Sequence, residues 1–256
     1  MPRPDVSRTY ENVDGSTDPA DAAAWMDRVA TYPAIADSKA RSLELLAGCS
    51  RVLDVGCGLG SEVRALGPGA VGVDPSRTML AEARARGGAF VLAHGQGLPF
   101  RRGTFDGARA DRVLQHVAEP ERVTAELVAA VRPGAPVVVT DPDQATLAID
   151  GPDPALTSAV VEYRSGQGIR NGFLAGRMAA VLEAAGCDEI AVERFTEVVD
   201  ELPLAFGLDS WSGFMVEDGW FDEAQAAAFD ASLAAAVAAG TFAYRVDIVL
   251  THGRRR

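Results

Sequence analysis

From Arg51 onward the chain alternates short apolar, β-rich runs with stretches whose apolar residues recur at helical spacing. The runs "RVLDVG", "AVGVD", "AFVLA", "FDGARAD" and "APVVVTD" each predict a strand. Between them, "SEVRALG", "SRTMLAEARARG" and "PERVTAELVAAVRPG" predict helices stopped by Gly or Pro. This alternation, continued to about residue 139, is the signature of βαβ units and of a parallel sheet. "AGRMAAVLEAAG" then predicts one more helix, followed by strands at "EIAVERFTEV" and "FAYRVDIVLTH".

Three segments fall outside this alternation. Residues 1–50 read as an N-terminal helical cap, with apolar positions at helical spacing. Residues 142–172 interrupt the crossover that should follow "APVVVTD". Residues 202–240 are rich first in aromatics and then in alanine, and "FDEAQAAAFDASLAAAVAAG" predicts a helix. Additions to an open α/β sheet gather near the carboxyl ends of its strands, where ligands bind. The expectation is a single domain over 1–256, with 142–172 as an insert and 202–240 as a helical lid.

Composition narrows the function. Of 256 residues, 48% are apolar, which is enough for a substantial core. A formal net charge of −12 argues against a nucleic-acid surface, because phosphate binding depends on clustered cations. The sequence has no uncharged apolar run of about 18 residues and no leader-like apolar core, so neither membrane nor export is expected and the cytoplasm is the expected location. Cys49, Cys57 and Cys187 have neither paired nor metal-like spacing, and no metal site is expected.

The stretch "RVLDVGCGLGSEVRALGPGAVGVD" raises the chemical question. Its glycines, Gly56, Gly58 and Gly60, bring the third in one residue early for a G-x-G-x-x-G dinucleotide fingerprint. Asp54, at the end of the first strand, would repel a diphosphate at short range and suits a cationic ligand without phosphate. Asp74, ending the second strand, is placed to accept hydrogen bonds from both hydroxyls of a ribose. An adenosine with a ribose diol and a cationic amino-acid tail is S-adenosylmethionine.

"VLDVGCGLG", "VGVDPSRTML", "LPFRRGTFD", "VLQHV" and "VRPGAPVVVTDPD" resemble, in order, the motifs of class I S-adenosylmethionine-dependent methyltransferases. The nearest likeness is to the branch containing ubiquinone and menaquinone C-methyltransferases and small-molecule methyltransferases of actinobacterial secondary metabolism. The resemblance implies a Rossmann-like α/β fold, its seven strands ordered 3-2-1-4-5-7-6 with only strand 7 antiparallel. It implies that Asp54 and Gly56 line the methionine end and that Asp74, with Pro75 beside it, holds the ribose. Where the family carries an aspartate for the adenine amino group, this chain has His94, followed by Gly95 and Gln96. Either a neutral imidazole accepts that bond, assisted by Gly95 or Gln96, or adenine is held by backbone and apolar contacts alone. Tyr10 and Arg41 are candidates for closing over the cofactor and reaching its carboxylate.

A sulfonium supplies its own leaving group, so the protein must mainly orient the acceptor and in some cases remove a proton. His116 is the natural general base by pKa, against a structural role in its loop. Asp111 either orients the acceptor or contacts the cofactor, against a structural role as a loop-capping carboxylate. Asp141 and Asp143 read as caps, although acids facing the cleft would favour a cationic acceptor. Aromatics at helical spacing are more often core, but their concentration in the two lid candidates suits an aromatic or polyketide-like small-molecule acceptor, with the protein a monomer or homodimer. Two alternatives stand beside methyl transfer: a cyclisation or decarboxylation on the same fold, and a non-catalytic cofactor-binding protein.

Overall fold

The centre of the sheet is β1 (Val52–Val55), whose four residues are all buried. A strand covered on both faces is apolar along its length rather than alternating, and Asp54 is the exception here. In the computed structural model, which describes residues 13–15, 19–202 and 206–256, β1 lies parallel to β2 (Val71–Asp74) and β4 (Gly107–Asp111). Outside these, β3 (Ala89–Leu92) pairs with β2 and β5 (Pro136–Asp150) with β4, again in parallel. β7 (Ala243–Arg255) runs antiparallel between β5 and β6 (Cys187–Val199). The order is 3-2-1-4-5-7-6, as the sequence motifs implied.

Helices cover both faces, and their ends follow local chemistry. α1 (Pro19–Val29) and α2 (Pro33–Leu45) precede β1, and α3 (Ser61–Leu66) follows it. α4 (Arg77–Ala85) starts where the Ser76 hydroxyl accepts the Met79 N–H at 3.0 Å. α5 (Pro120–Ala130) and α6 (Pro154–Tyr163) begin on prolines, whose fixed φ suits a first helical turn. α7 (Met178–Ala184) leads into β6. α8 (Trp211–Glu217) precedes α9 (Glu223–Ala238), which opens on a reciprocal Asp222–Gln225 capping box.

Two expectations change in three dimensions. The fifth strand does not stop at Asp141: it continues to Asp150, paired with β7 across an irregularity between Asp143 and Ala148. The first nine residues of the expected insert are therefore sheet, because β7 is long enough to go on supplying hydrogen-bond partners. The aromatic segment of the expected lid is largely packed. Trp211, Phe214, Met215 and Phe221 join Phe229 and Leu233 of α9, Val160 of α6 and Tyr244 of β7 in one buried cluster. A second cluster lies between α5, α7 and the strands β1, β4 and β5.

Candidate active site

The turn after β1 is built on left-handed backbone. Gly56, Gly58 and Gly60 have φ of +69°, +48° and +70°, a region that only glycine enters without steric cost. The N–H groups of Gly56 and Cys57 donate to the Val73 carbonyl at 2.7 and 3.1 Å, which ties the turn to the end of β2. The Gly58 N–H donates to Asp74 Oδ2 at 2.9 Å, and the Ser76 N–H donates to Asp74 Oδ1 at the same distance. Burial pushes the Asp74 carboxyl up and these two amides pull it down, leaving it above the usual carboxylate range. Each oxygen keeps a lone pair, so the pair can still accept from two hydroxyls.

This turn forms one end of a cavity of about 540 Å³. Gly56, Gly58, Asp74, Pro75, His94, Gly95, Gln96, Asp111 and His116 all lie in its wall. His94 is exposed, at the rim on the loop after β3, and Gly95 sits where a Cβ would come within 2.9 Å of Val123 and 3.2 Å of Val55. Gly60 is not in the wall: a Cβ there would meet the Phe90 ring at 2.4 Å, so its place is the packing of helix against strand. At the other end the wall is formed by Trp25, Phe206, Tyr244, Val246 and Ile248, with Arg164 and Arg170. The period-2 rise of β7 puts Tyr244, Val246 and Ile248 on one face.

Asp54 stands elsewhere. Its carboxylate opens not on the large cavity but on a small one of about 30 Å³ behind the glycine turn. There Asp54 Oδ1 lies 3.6 Å from the Arg109 guanidinium, and its Oδ2 is buried with no hydrogen-bond partner. Burial pushes the Asp54 carboxyl up to about 7, against the pull of Arg109. Beside the direct contact with a cationic tail that the sequence led us to expect, Asp54 has a buried cation, Arg109, at its side. The two cavities share Met26, Gly56, Asp111 and Arg112 in their walls, so the tail end of a ligand would lie at that common rim.

The candidate acids and bases separate by burial and charge. Burial would raise Asp111, but Arg112, Lys39 and Arg109 outweigh it and hold the carboxyl below its ordinary value. It accepts from Arg109 Nη2 at 3.1 Å. His116 faces the cavity and stays neutral: burial, then the charges of Arg164 and Arg112, push it down to about 3. An imidazole so depressed is a poor general base and a ready hydrogen-bond acceptor. Its loop is clamped by Asn171, whose Nδ2 donates to the Leu114 and Val117 carbonyls at 2.7 Å each. Asp141 and Asp143 point away from the cavity, because Pro142 and Gln144 take the cavity-facing positions of β5. Asp141 is pushed well up by burial and accepts the Gln115 N–H at 3.4 Å.

One expected contact is not found together with the rest. Arg41 lies on the outer side of α2, where its Nε donates to both Glu193 oxygens at 3.0 Å, away from both cavities. Tyr10 lies outside the described residues. Sequence reasoning missed Asp14, whose carboxylate accepts from the Ser76 hydroxyl at 2.6 Å and from the Arg77 and Thr78 amides, in the wall beside Asp74. It also missed Arg109, for which the signal was present: a charge in the middle of the strand run "FDGARAD". Among the described residues, no group of three His, Cys, Asp or Glu could hold a metal ion, and no helix is long and apolar enough to cross a membrane.

The donor set fits S-adenosylmethionine. Glycines with no room for a Cβ border the shared rim, carboxylate acceptors stand at the end of β2, and the cations behind the turn, Lys39, Arg109 and Arg112, face the acids Glu62, Asp54 and Asp111. A family model described as a methyltransferase domain matches residues 53–139. Over those residues, and in its sheet order and motifs, the chain is similar to the class I S-adenosylmethionine-dependent methyltransferases. An uncharacterized 37.1 kDa protein in transposon TN4556 of Streptomyces fradiae is 34% identical over 179 residues, covering 65% of this chain and 52% of that protein. A demethylmenaquinone methyltransferase of Parafrankia sp. (strain EAN1pec) is 36% identical over 127 residues, covering 40% of this chain and 50% of that one. The chain spans about half the length of the curated relatives it matches. A Thermotoga maritima structure, described as a S-adenosylmethionine-dependent methyltransferase and possible histamine N-methyltransferase, has the same fold. Its TM-score is 0.60 at 17% identity, covering 98% of this chain and all of that one.

Proposed function

We propose that this chain transfers a methyl group from S-adenosylmethionine to a small-molecule acceptor, at carbon, oxygen or nitrogen, in quinone-type or secondary metabolism. The observation that carries the reading is the continuity of the cavity from the glycine turn to the Tyr244 face, which gives cofactor and acceptor one shared space. When bound, S-adenosylmethionine supplies an electrophilic methyl group on a sulfonium. The chain's own part is placement. Asp74, fixed by the Gly58 and Ser76 amides, accepts from the ribose hydroxyls, and His94, Gly95 and Gln96 face the base. The walls exclude water and align the acceptor, which by itself accounts for much of the rate enhancement in a two-substrate reaction. Neutral His116 accepts a hydrogen bond from an acceptor hydroxyl or amine and orients it, without holding a proton at neutral pH.

The test is incubation with S-adenosylmethionine and a panel of quinol, phenol and amine acceptors, with measurement of S-adenosylhomocysteine. Its formation in step with a methylated product supports the proposal. Acceptor turnover without it would point to a cyclisation or decarboxylation instead. Absence of any S-adenosylhomocysteine binding by calorimetry would refute the proposal.

A further inference from the structure

β4 ends on Asp111, and the next residue leaves the extended backbone abruptly. Arg112 has φ of +56°, and among the described residues only Glu189 and Phe206 share a positive φ without being glycine. Glycine enters that left-handed region freely, whereas an arginine Cβ meets the backbone there. The conformation is fixed from β5, where the Thr140 carbonyl accepts the Arg112 N–H at 2.6 Å. Strain of this kind persists only where the surroundings over-determine it, and it gathers at functional sites. A glycine would make the same turn with less steric cost, so the arginine side chain needs a reason to be there.

The turn places two consecutive side chains on one rim. In an extended strand, neighbours face opposite sides. Here Asp111 and Arg112 both line the large cavity and the small one behind the glycine turn, together with Gly56 and Met26. The Arg112 side chain is 18% exposed, with Nε 3.5 Å from Asp111 Oδ1, and among the described residues that Nε makes no hydrogen bond. Asp111 is shared: its other oxygen accepts from Arg109 Nη2 at 3.1 Å and lies 3.9 Å from Lys39 Nζ. Those two cations have further partners, Lys39 in Glu62 and Arg109 in Asp54 and Glu62. Arg112 therefore stands at the edge of a charge-balanced network, next to the space where the tail end of a ligand would lie.

We propose that Arg112 binds the carboxylate of the S-adenosylmethionine amino-acid tail, the role expected of Arg41, and that its left-handed backbone is what aims it there. This rests on the proposed function. A guanidinium presents parallel N–H donors that match the two oxygens of a carboxylate. Asp111, on the same rim, supplies the opposite sign for the ammonium of the tail. A zwitterion is matched by such a pair, whereas a diphosphate would meet the acid as well as the base.

The test compares S-adenosylhomocysteine with its decarboxylated analogue, which keeps the ammonium and lacks the carboxylate, by calorimetry. Wild type should bind S-adenosylhomocysteine about tenfold or more tighter, as expected for hydrogen bonds between charged groups. Arg112→Ala and Arg112→Gly should both abolish that preference. The glycine variant, freed of the backbone strain, should melt about 2–4 °C above the alanine variant. A residue with a merely structural role would give the reverse, with the more stable variant recovering affinity. Equal binding of the two ligands by wild type, a preference that survives both substitutions, or affinity regained in Arg112→Gly would overturn the proposal. A glycine variant melting no higher than the alanine one would overturn its backbone half. In all these cases wild type still binds S-adenosylhomocysteine and the proposed function stands. Failure of wild type to bind it at all overturns both.

Discussion

Asp54 and Arg109 stand side by side on adjacent strands, paired in register, with a carboxylate oxygen 3.6 Å from the guanidinium and both side chains almost wholly buried. Arg109 also donates to Ser42 Oγ at 3.0 Å and to Asp111 Oδ2 at 3.1 Å. It is therefore the common counter-ion of the acids behind the glycine turn. A lone buried carboxylate is costly, and burial already pushes Asp54 to about 7 with Arg109 present.

Arg109→Met should therefore destabilise the protein by about 3–5 kcal/mol, the range for breaking a buried ion pair from one side. Adding Asp54→Asn should restore part of that loss. Urea denaturation of the three variants checks it, and equal stability of Arg109→Met and wild type would show that the pair is not a stabilising unit.

Gly56 and Gly207 both have positive φ, +69° and +81°, yet of the two only Gly56 is crowded: Val113 Cγ2 is 2.2 Å from where a Cβ would sit, whereas at Gly207 the nearest atom, Trp211 Nε1, is 3.9 Å away. Each alanine variant should lose about 1–2 kcal/mol to the left-handed conformation. Gly56→Ala should lose more, and should also weaken S-adenosylhomocysteine binding, because Val113 lies in the cavity wall. Thermal melts and calorimetry on the two variants make the comparison.

Asp74→Ala removes both the anchor of the Gly58 amide and the proposed acceptor for the ribose diol. Affinity for S-adenosylhomocysteine should fall by at least about tenfold, in line with losing hydrogen bonds to a charged group. Asp74→Asn, which keeps one acceptor oxygen, should lie between. Calorimetry giving wild-type affinity for the alanine variant would remove Asp74 from the cofactor site.

His116 has its folded pKa lowered to about 3 from an ordinary 6.5. Its neutral form is favoured by folding, so its contribution to stability is complete above about pH 6.5 and is lost as pH falls from there toward 3. Its imidazole signals, assigned with His116→Gln, should not titrate between pH 8 and 5 in the folded protein. A midpoint near 6.5 by NMR would contradict the burial and charge that surround it.

The βαβ core was legible because its information is local. A fully apolar "VLDV", glycines with no alternative in left-handed backbone and acids at strand ends each act within a few residues. Asp74 and the Gly56–Gly58 turn were placed in the fold from such signals, and the loop carrying His94 to Gln96 from the resemblance of its motifs. Arg41 was not: on α2 it is one exposed arginine among many, and only packing against β6 decides that it faces Glu193. Asp14 is separated by more than sixty residues from the Ser76 turn it caps, and no pattern in "VDG" announces that contact.

The sequence by itself determined the parallel core, the glycine turn and the two strand-end acids, since periodicity and backbone sterics are properties of short segments. Tertiary structure alone decided where each charge acts: Asp54 beside Arg109 in a separate small cavity, Asp141 and Asp143 turned from the cleft, Arg164 fixed on Trp211 at its far end. The reason is physical. A side chain's charge is felt through the medium and the neighbours around it, and these come from strands and helices that meet only when the chain is folded.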